Sequence, residues 1–136
     1  MKIKKLLFAS ALLFSAYNAS AQTQVIAHRG FWKTEGSAQN SIAALLKADS
    51  IGCYGSEFDV WLAADDQLVV NHDPTFKGKR MENSPSTALT AIKLDNGESL
   101  PTLAKYLKAA QPLHTRLILE LKAHSTCLLY TSPSPR

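Results

Sequence analysis

Cysteine is scarce, with only Cys53 and Cys127 among the 136 residues, and no metal-ligand or nucleophile spacing surrounds either. A disulfide-dense scaffold is excluded on that count. There is no G-x-G-x-x-G, no Walker loop, no G-x-S-x-G and no zinc-spaced Cys/His set, which removes the usual signals for nucleotide, zinc and serine-nucleophile chemistry. No basic-aromatic run points to RNA or DNA, and no apolar run after residue 21 is long enough to span a bilayer. Residues 22–126 hold no internal repeat and no low-complexity stretch. The formal charge of +4 suggests an anionic partner until its carriers are located. Lys2, Lys4, Lys5 and Arg136 supply the whole excess, so residues 22–126 carry no net charge.

What is present starts with the two ends. Lys2, Lys4 and Lys5 precede a short apolar run from Leu6 to Ala16, and Ala19-Ser20-Ala21 supplies small residues for cleavage. Residues 1–21 therefore read as a signal peptide, too short in its apolar part for a stable membrane anchor, and the mature protein is expected to be exported to the periplasm or beyond. The last ten residues, 127–136, match one translated frame of a transposon-type sequencing adapter over ten consecutive codons. They are expected not to be native, which leaves Cys53 as a lone thiol near a helix end.

The body follows an alternating rhythm. Gln24–Ala27 is expected as a strand ending in His28-Arg29-Gly30, and Asn40 to Ile51 shows helical spacing closed by Gly52. Ser56–Leu62 and Leu68–Asn71 read as strands joined by a two-residue turn at Asp65-Asp66, a register that sets Asp59 opposite His72. Thr102 is the expected cap of a helix over Leu103–Ala110, and Arg116–Leu121 reads as another strand. Strand, helix, strand, hairpin, helix, strand is the order of a parallel α/β fold, in which chemistry gathers where strands end.

The polar clusters sit at such places. Glu57 and Asp59 are two apart on a strand and leave one face, while Phe58 and Val60 suit burial under helices on the other. Paired carboxylates repel unless a cation lies between them, and hard oxygen donors suit Ca²⁺ or Mg²⁺. A solvated strand edge explains such a pair as well. Glu120 and Lys122 repeat the spacing, as a third carboxylate and a cation for an anionic substrate, or as an exposed pair of little energetic value. His28 and His72 are candidate titrating groups, and Arg29 is a candidate phosphate fork. Asp73 suits orienting His72 rather than reacting.

Taken in order, His28-Arg29-Gly30, Gln39-Asn40-Ser41, Glu57-Phe58-Asp59-Val60, Val69-Val70-Asn71-His72-Asp73, Leu100-Pro101-Thr102-Leu103 and Leu119-Glu120-Leu121-Lys122 resemble the glycerophosphodiester phosphodiesterase family from Val25 to Lys122. The resemblance implies a TIM (β/α)8 barrel that hydrolyses small-molecule glycerophosphodiesters to glycerol 3-phosphate and an alcohol. By position, His28 and His72 match the general acid/base pair. Glu57, Asp59 and Glu120 match the divalent-metal ligands, while Arg29 and Lys122 match the phosphate-contacting cations. Barrels of this kind run to about 250 residues, so 22–126 is expected to be only the N-terminal portion. A phosphatidylinositol-type phospholipase C of similar architecture and a non-catalytic phosphodiester-binding module are the alternatives. One departure touches the site: family members often read Pro-Glu-Asn-Thr where this chain has Ala38-Gln39-Asn40-Ser41. Gln39 keeps an acceptor and loses a charge. Lys105 likewise stands where an acidic residue would complete a capping box with Thr102.

Overall fold

The computed structural model describes residues 23–125. The leader expected at 1–21 and the adapter-like segment at 127–136 lie outside the described residues. In chain order the elements are β1 (Ile26–Ala27), α1 (Ile42–Ser50), β2 (Gly55–Leu62), β3 (Leu68–Val70), β4 (Thr75–Phe76), β5 (Lys79–Arg80), a 3-10 turn at Met81–Asn83, α2 (Ser86–Thr90), α3 (Leu103–Ala110) and β6 (Arg116–Leu121).

β2 is the axis of the sheet. On one edge Gly55 faces Ile26 of the parallel β1, and on the other it faces Arg116 of the parallel β6. β1 is only two residues long, so further along the same edge β2 is free to take β3, antiparallel, with Val60 opposite Val70. The polar residues after β1 are thereby delivered beside the middle of β2. Helices α1 and α3 cover one face, where Phe58, Val60 and Val70 close on Leu45 and Tyr106. The rings of Phe58 and Tyr106 stack at 4.7 Å. Alternation along β2 then sends Glu57 and Asp59 out of the opposite face.

Three expectations need correction. The β2–β3 turn spans three residues, Ala64 to Asp66, because Ala63 donates to Gln67 O at 2.8 Å and Asp66 adopts φ +59°. A three-residue loop closed by a left-handed residue shifts the register by one. Asp59 therefore lies beside Asn71, whose amide donates to Asp59 O at 3.1 Å, and not opposite His72. Helix α1 starts at Ile42 and not at Asn40, since Asn40 has φ +59° and Ser41 is the cap, accepting from Ala44 N at 3.0 Å. Finally, Glu57 and Asp59 sit within β2; it is β1 and β6 that end near them.

Residues 74–100, for which the sequence pattern suggested no elements, form a folded excursion. Met81, Leu89, Ile92, Leu94 and Leu100 build a second core with Trp61 and Val69 at the far end of the sheet. Glu98 ties this excursion to α1 by accepting from the Ile42 and Ala43 amides at 3.0 and 3.1 Å. The Thr102 cap forms as expected, accepting from Lys105 N at 3.2 Å. Cys53, half-buried just past α1, is the free cysteine among the described residues.

Candidate active site

The chain leaves β1 through a forced turn. Arg29 and Gly30 both have positive φ, +60° and +76°. A Cβ on Gly30 would stand 2.6 Å from Ala44 Cβ and 2.9 Å from the Ala44 carbonyl oxygen, so only glycine lets this loop lie against α1. The turn folds Arg29 back over β2, where its backbone N–H donates to Glu57 Oε2 at 2.8 Å. His28, just before it, places Nε2 at 3.8 Å from the same oxygen with its side chain two-thirds exposed.

The Arg29 guanidinium makes the central junction. Nη1 donates to Gln39 Oε1 at 2.6 Å, Nη2 contacts His72 Nε2 at 2.7 Å, and Nε lies 4.0 Å from Asp59 Oδ2. A guanidinium only donates, so His72 Nε2 accepts. The ring proton then sits on Nδ1, which donates to Asp73 Oδ1 at 2.8 Å. His72 thus reaches the carboxylates through Arg29, without being their ladder neighbour. Its position is fixed further by Trp61 Nε1, which donates to the His72 carbonyl at 3.3 Å.

Three carboxylates converge. Glu57, Asp59 and Glu120 each offer an oxygen, and these oxygens lie within 4.8 Å of one another. The parallel register that sets Asp59 opposite Glu120 produces this convergence. Lys122, the residue after β6, sets Nζ at 2.7 Å from Asp59 Oδ1 and 2.5 Å from Glu120 Oε1. Burial alone would lower the Lys122 ammonium, but its bonds to Asp59 and Glu120 outweigh that and hold it above its ordinary value. Burial is also the main reason the Glu57 carboxyl is raised from 4.5, opposed by the Arg29 amide and reinforced by the Asp59 charge.

The donor set fits a hard divalent cation. Glu57 Oε1 is buried with no hydrogen-bond partner, and Asp59 Oδ1 has an ion-pair contact with Lys122 but no aligned hydrogen bond. Three ionised carboxylates outnumber the two cations beside them, Lys122 and Arg29, so the cluster keeps an excess of negative charge that favours a cation. Oxygen-only donors argue against a zinc-type site.

All seven residues singled out from the sequence, His28, Arg29, Glu57, Asp59, His72, Glu120 and Lys122, form one connected set of contacts. Beside them opens a cleft of about 230 Å³ lined by Trp32, Asn40, His72, Phe76 and Asp95 among others. The sequence placed Asn40 at a helix start and within a motif of the family resemblance, with no role in the site. The structure shows it buried against Asp59, with Nδ2 donating to Oδ2 at 2.7 Å. An asparagine immediately before a serine cap was the available signal, since Asn tolerates the left-handed conformation this corner needs. Gln39, read as a departure from the family pattern, is the acceptor for Arg29.

No family model matches the chain. A solved glycerophosphodiester phosphodiesterase from Parabacteroides distasonis ATCC 8503 is 58% identical with a TM-score of 0.73, over 74% of this chain and 43% of that one. A phosphodiesterase from Oleispira antarctica, solved in complex with the product sn-glycerol-3-phosphate, is 31% identical with a TM-score of 0.62, over 74% and 44% of the two chains. The curated glycerophosphodiester phosphodiesterase of Caldanaerobacter subterraneus subsp. tengcongensis is 48% identical over 54 residues, 40% of this chain and 21% of that protein. The chain thus spans less than half of these solved structures and about a fifth of the curated relative. The resemblance read from the ordered motifs is borne out, and the described fold is that of an N-terminal portion of such a barrel.

Proposed function

We propose that this chain carries the N-terminal half of the active site of an exported, metal-dependent glycerophosphodiester phosphodiesterase, which releases glycerol 3-phosphate and an alcohol. The convergence of Glu57, Asp59 and Glu120 beside Arg29 and two histidines is the observation that carries this reading. Export rests on the composition of residues 1–21 alone.

The three carboxylates would hold the ion, Ca²⁺ or Mg²⁺ by their chemistry. When bound, it supplies positive charge for the non-bridging oxygens of the phosphodiester. Arg29 and Lys122 add cations for the phosphate, the guanidinium oriented by Gln39 and the ammonium by Asp59 and Glu120. His72, whose Nδ1–H is held by Asp73, keeps Nε2 unprotonated and occupied by Arg29; once Arg29 Nη2 turns to the substrate phosphate, Nε2 is free to take the proton of the attacking hydroxyl. His28, exposed beside Glu57, is the partner that protonates the departing alkoxide.

The test is release of glycerol 3-phosphate from glycerophosphocholine by the intact protein. Chelation is expected to abolish it, and His28→Ala or His72→Ala to lower kcat by about 10²–10⁴-fold. Full activity in the His28→Ala protein, or cleavage of phosphatidylinositol with no turnover of glycerophosphodiesters, would sink the assignment.

A further inference from the structure

Asn40 is 2% exposed and commits both ends of its amide to one neighbour. Nδ2 donates to Asp59 Oδ2 at 2.7 Å, and Oδ1 accepts from the Asp59 backbone N–H at 3.2 Å. Asn40 is itself held: its N–H donates to the Arg29 carbonyl at 3.0 Å, and the following Ser41 caps α1. The amide therefore rests on the helix start and the Arg29 turn, and grips the one fully buried carboxylate of the site.

Asp59 needs such a grip. Glu57 and Glu120 oxygens lie within 4.8 Å of it, and like charges at that range push a flexible carboxylate out of a shared position. With Oδ2 fixed by Asn40, Oδ1 is left facing Lys122 Nζ. No other small side chain does both jobs. A hydroxyl offers a single short contact, and an aspartate would set a fourth negative charge against Oδ2. Glycine keeps the φ of +59° but removes the amide.

We propose that Asn40 is a positioning residue that sets the metal affinity of the three-carboxylate site, by holding Asp59 in one orientation through its amide. This rests on the metal-dependent hydrolase reading above. Partners that orient metal ligands from behind typically change metal affinity by about 10–100-fold when removed.

The experiment titrates Ca²⁺ and Mg²⁺ calorimetrically into the chelator-treated intact protein and its Asn40→Gly and Asn40→Asp variants. Asn40→Gly is expected to bind the ion about 10–100-fold more weakly, and Asn40→Asp no better. At saturating metal, Asn40→Gly should recover kcat to within about threefold with KM for glycerophosphocholine unchanged. A purely structural role would instead depress kcat at every metal concentration. Metal affinity in folded Asn40→Gly within about twofold of the wild type overturns the inference. If that variant does not fold, the near-isosteric Asn40→Asp decides on the same criterion. A wild-type protein that binds neither ion overturns the metal reading and this inference together, whereas unchanged affinity in the variants overturns the inference alone.

Discussion

Arg29 holds more of the site together than any other side chain, and it does so with geometry that a simple charge does not reproduce. Its two terminal nitrogens diverge to Gln39 and His72 while Nε stays near Asp59. Lysine offers a point charge on a flexible stem and cannot meet these partners at once. Arg29→Lys is therefore expected to lower kcat/KM by about 10–100-fold, equivalent to one lost charge-assisted hydrogen bond. Steady-state kinetics on glycerophosphocholine check it; a change below about threefold would show that charge alone suffices. Glu57 gives a second expectation at this scale. Its carboxyl is raised from 4.5, mainly by burial, so the folded protein holds the proton more tightly than the unfolded chain does. Stability from this group is complete below pH 4.5 and is lost as pH rises through the folded value. In chelator, the stability of Glu57→Gln relative to the wild type is expected to grow with pH across that window. A bound divalent ion, which needs the ionised carboxylate, should reverse the trend. Thermal melts of both proteins from acid to neutral pH, with and without metal, measure this; parallel curves in chelator would contradict it.

Among the elements, α1 bears most directly on the site because its start fixes both Asn40 and the Gly30 turn. Two caps of different origin secure it, Ser41 from its own sequence and Glu98 from the excursion. The carboxylate meets unpaired N–H groups at the positive end of the helix dipole, where an anion is favoured. Glu98→Ala should destabilise by about 1–3 kcal/mol, read as a shift in denaturant midpoint. An unchanged midpoint would mean that water caps α1 equally well. The Ser41 cap carries a local signal, Ser before an apolar-periodic run, but the reading that began the helix at Asn40 passed over it. The Glu98 cap carries none, since 55 residues separate it from Ala43 and nothing local encodes the meeting. The hairpin register failed for a related reason. Ala63-Ala64-Asp65-Asp66-Gln67 contains no glycine to mark the left-handed position, and Asp66 occupies it instead. The site residues survived that slip because Arg29 bridges to His72 from another loop.

At the scale of the whole molecule, what was legible and what was not divide along the sheet. Alternation told that Glu57 and Asp59 leave one face of β2, whereas Glu120 was joined to them only by the family resemblance, and it is the parallel pairing of β2 with β6 that brings it there. The core under residues 74–100 was not legible, because Met81, Leu89, Ile92 and Leu94 follow no single period. The same sheet also shows what remains unburied. Among the described residues β1 and β6 each pair on one edge only. Val25 and Ile26 at one side, with Leu119 and Leu121 at the other, are 36–60% exposed. Unpaired edges rich in apolar side chains favour association over a unique fold, and a barrel removes them by closing. This chain covers 43% of the Parabacteroides relative, and the strands that would close a barrel are not among the described residues. The isolated chain is therefore expected to bind ANS, to melt over a broad range and to release no glycerol 3-phosphate. The intact protein is expected to melt cooperatively and turn over substrate. A sharp transition with measurable turnover in the isolated chain would show instead that residues 23–125 form a sufficient core, with Glu57, Asp59 and Glu120 able to act without the remaining wall.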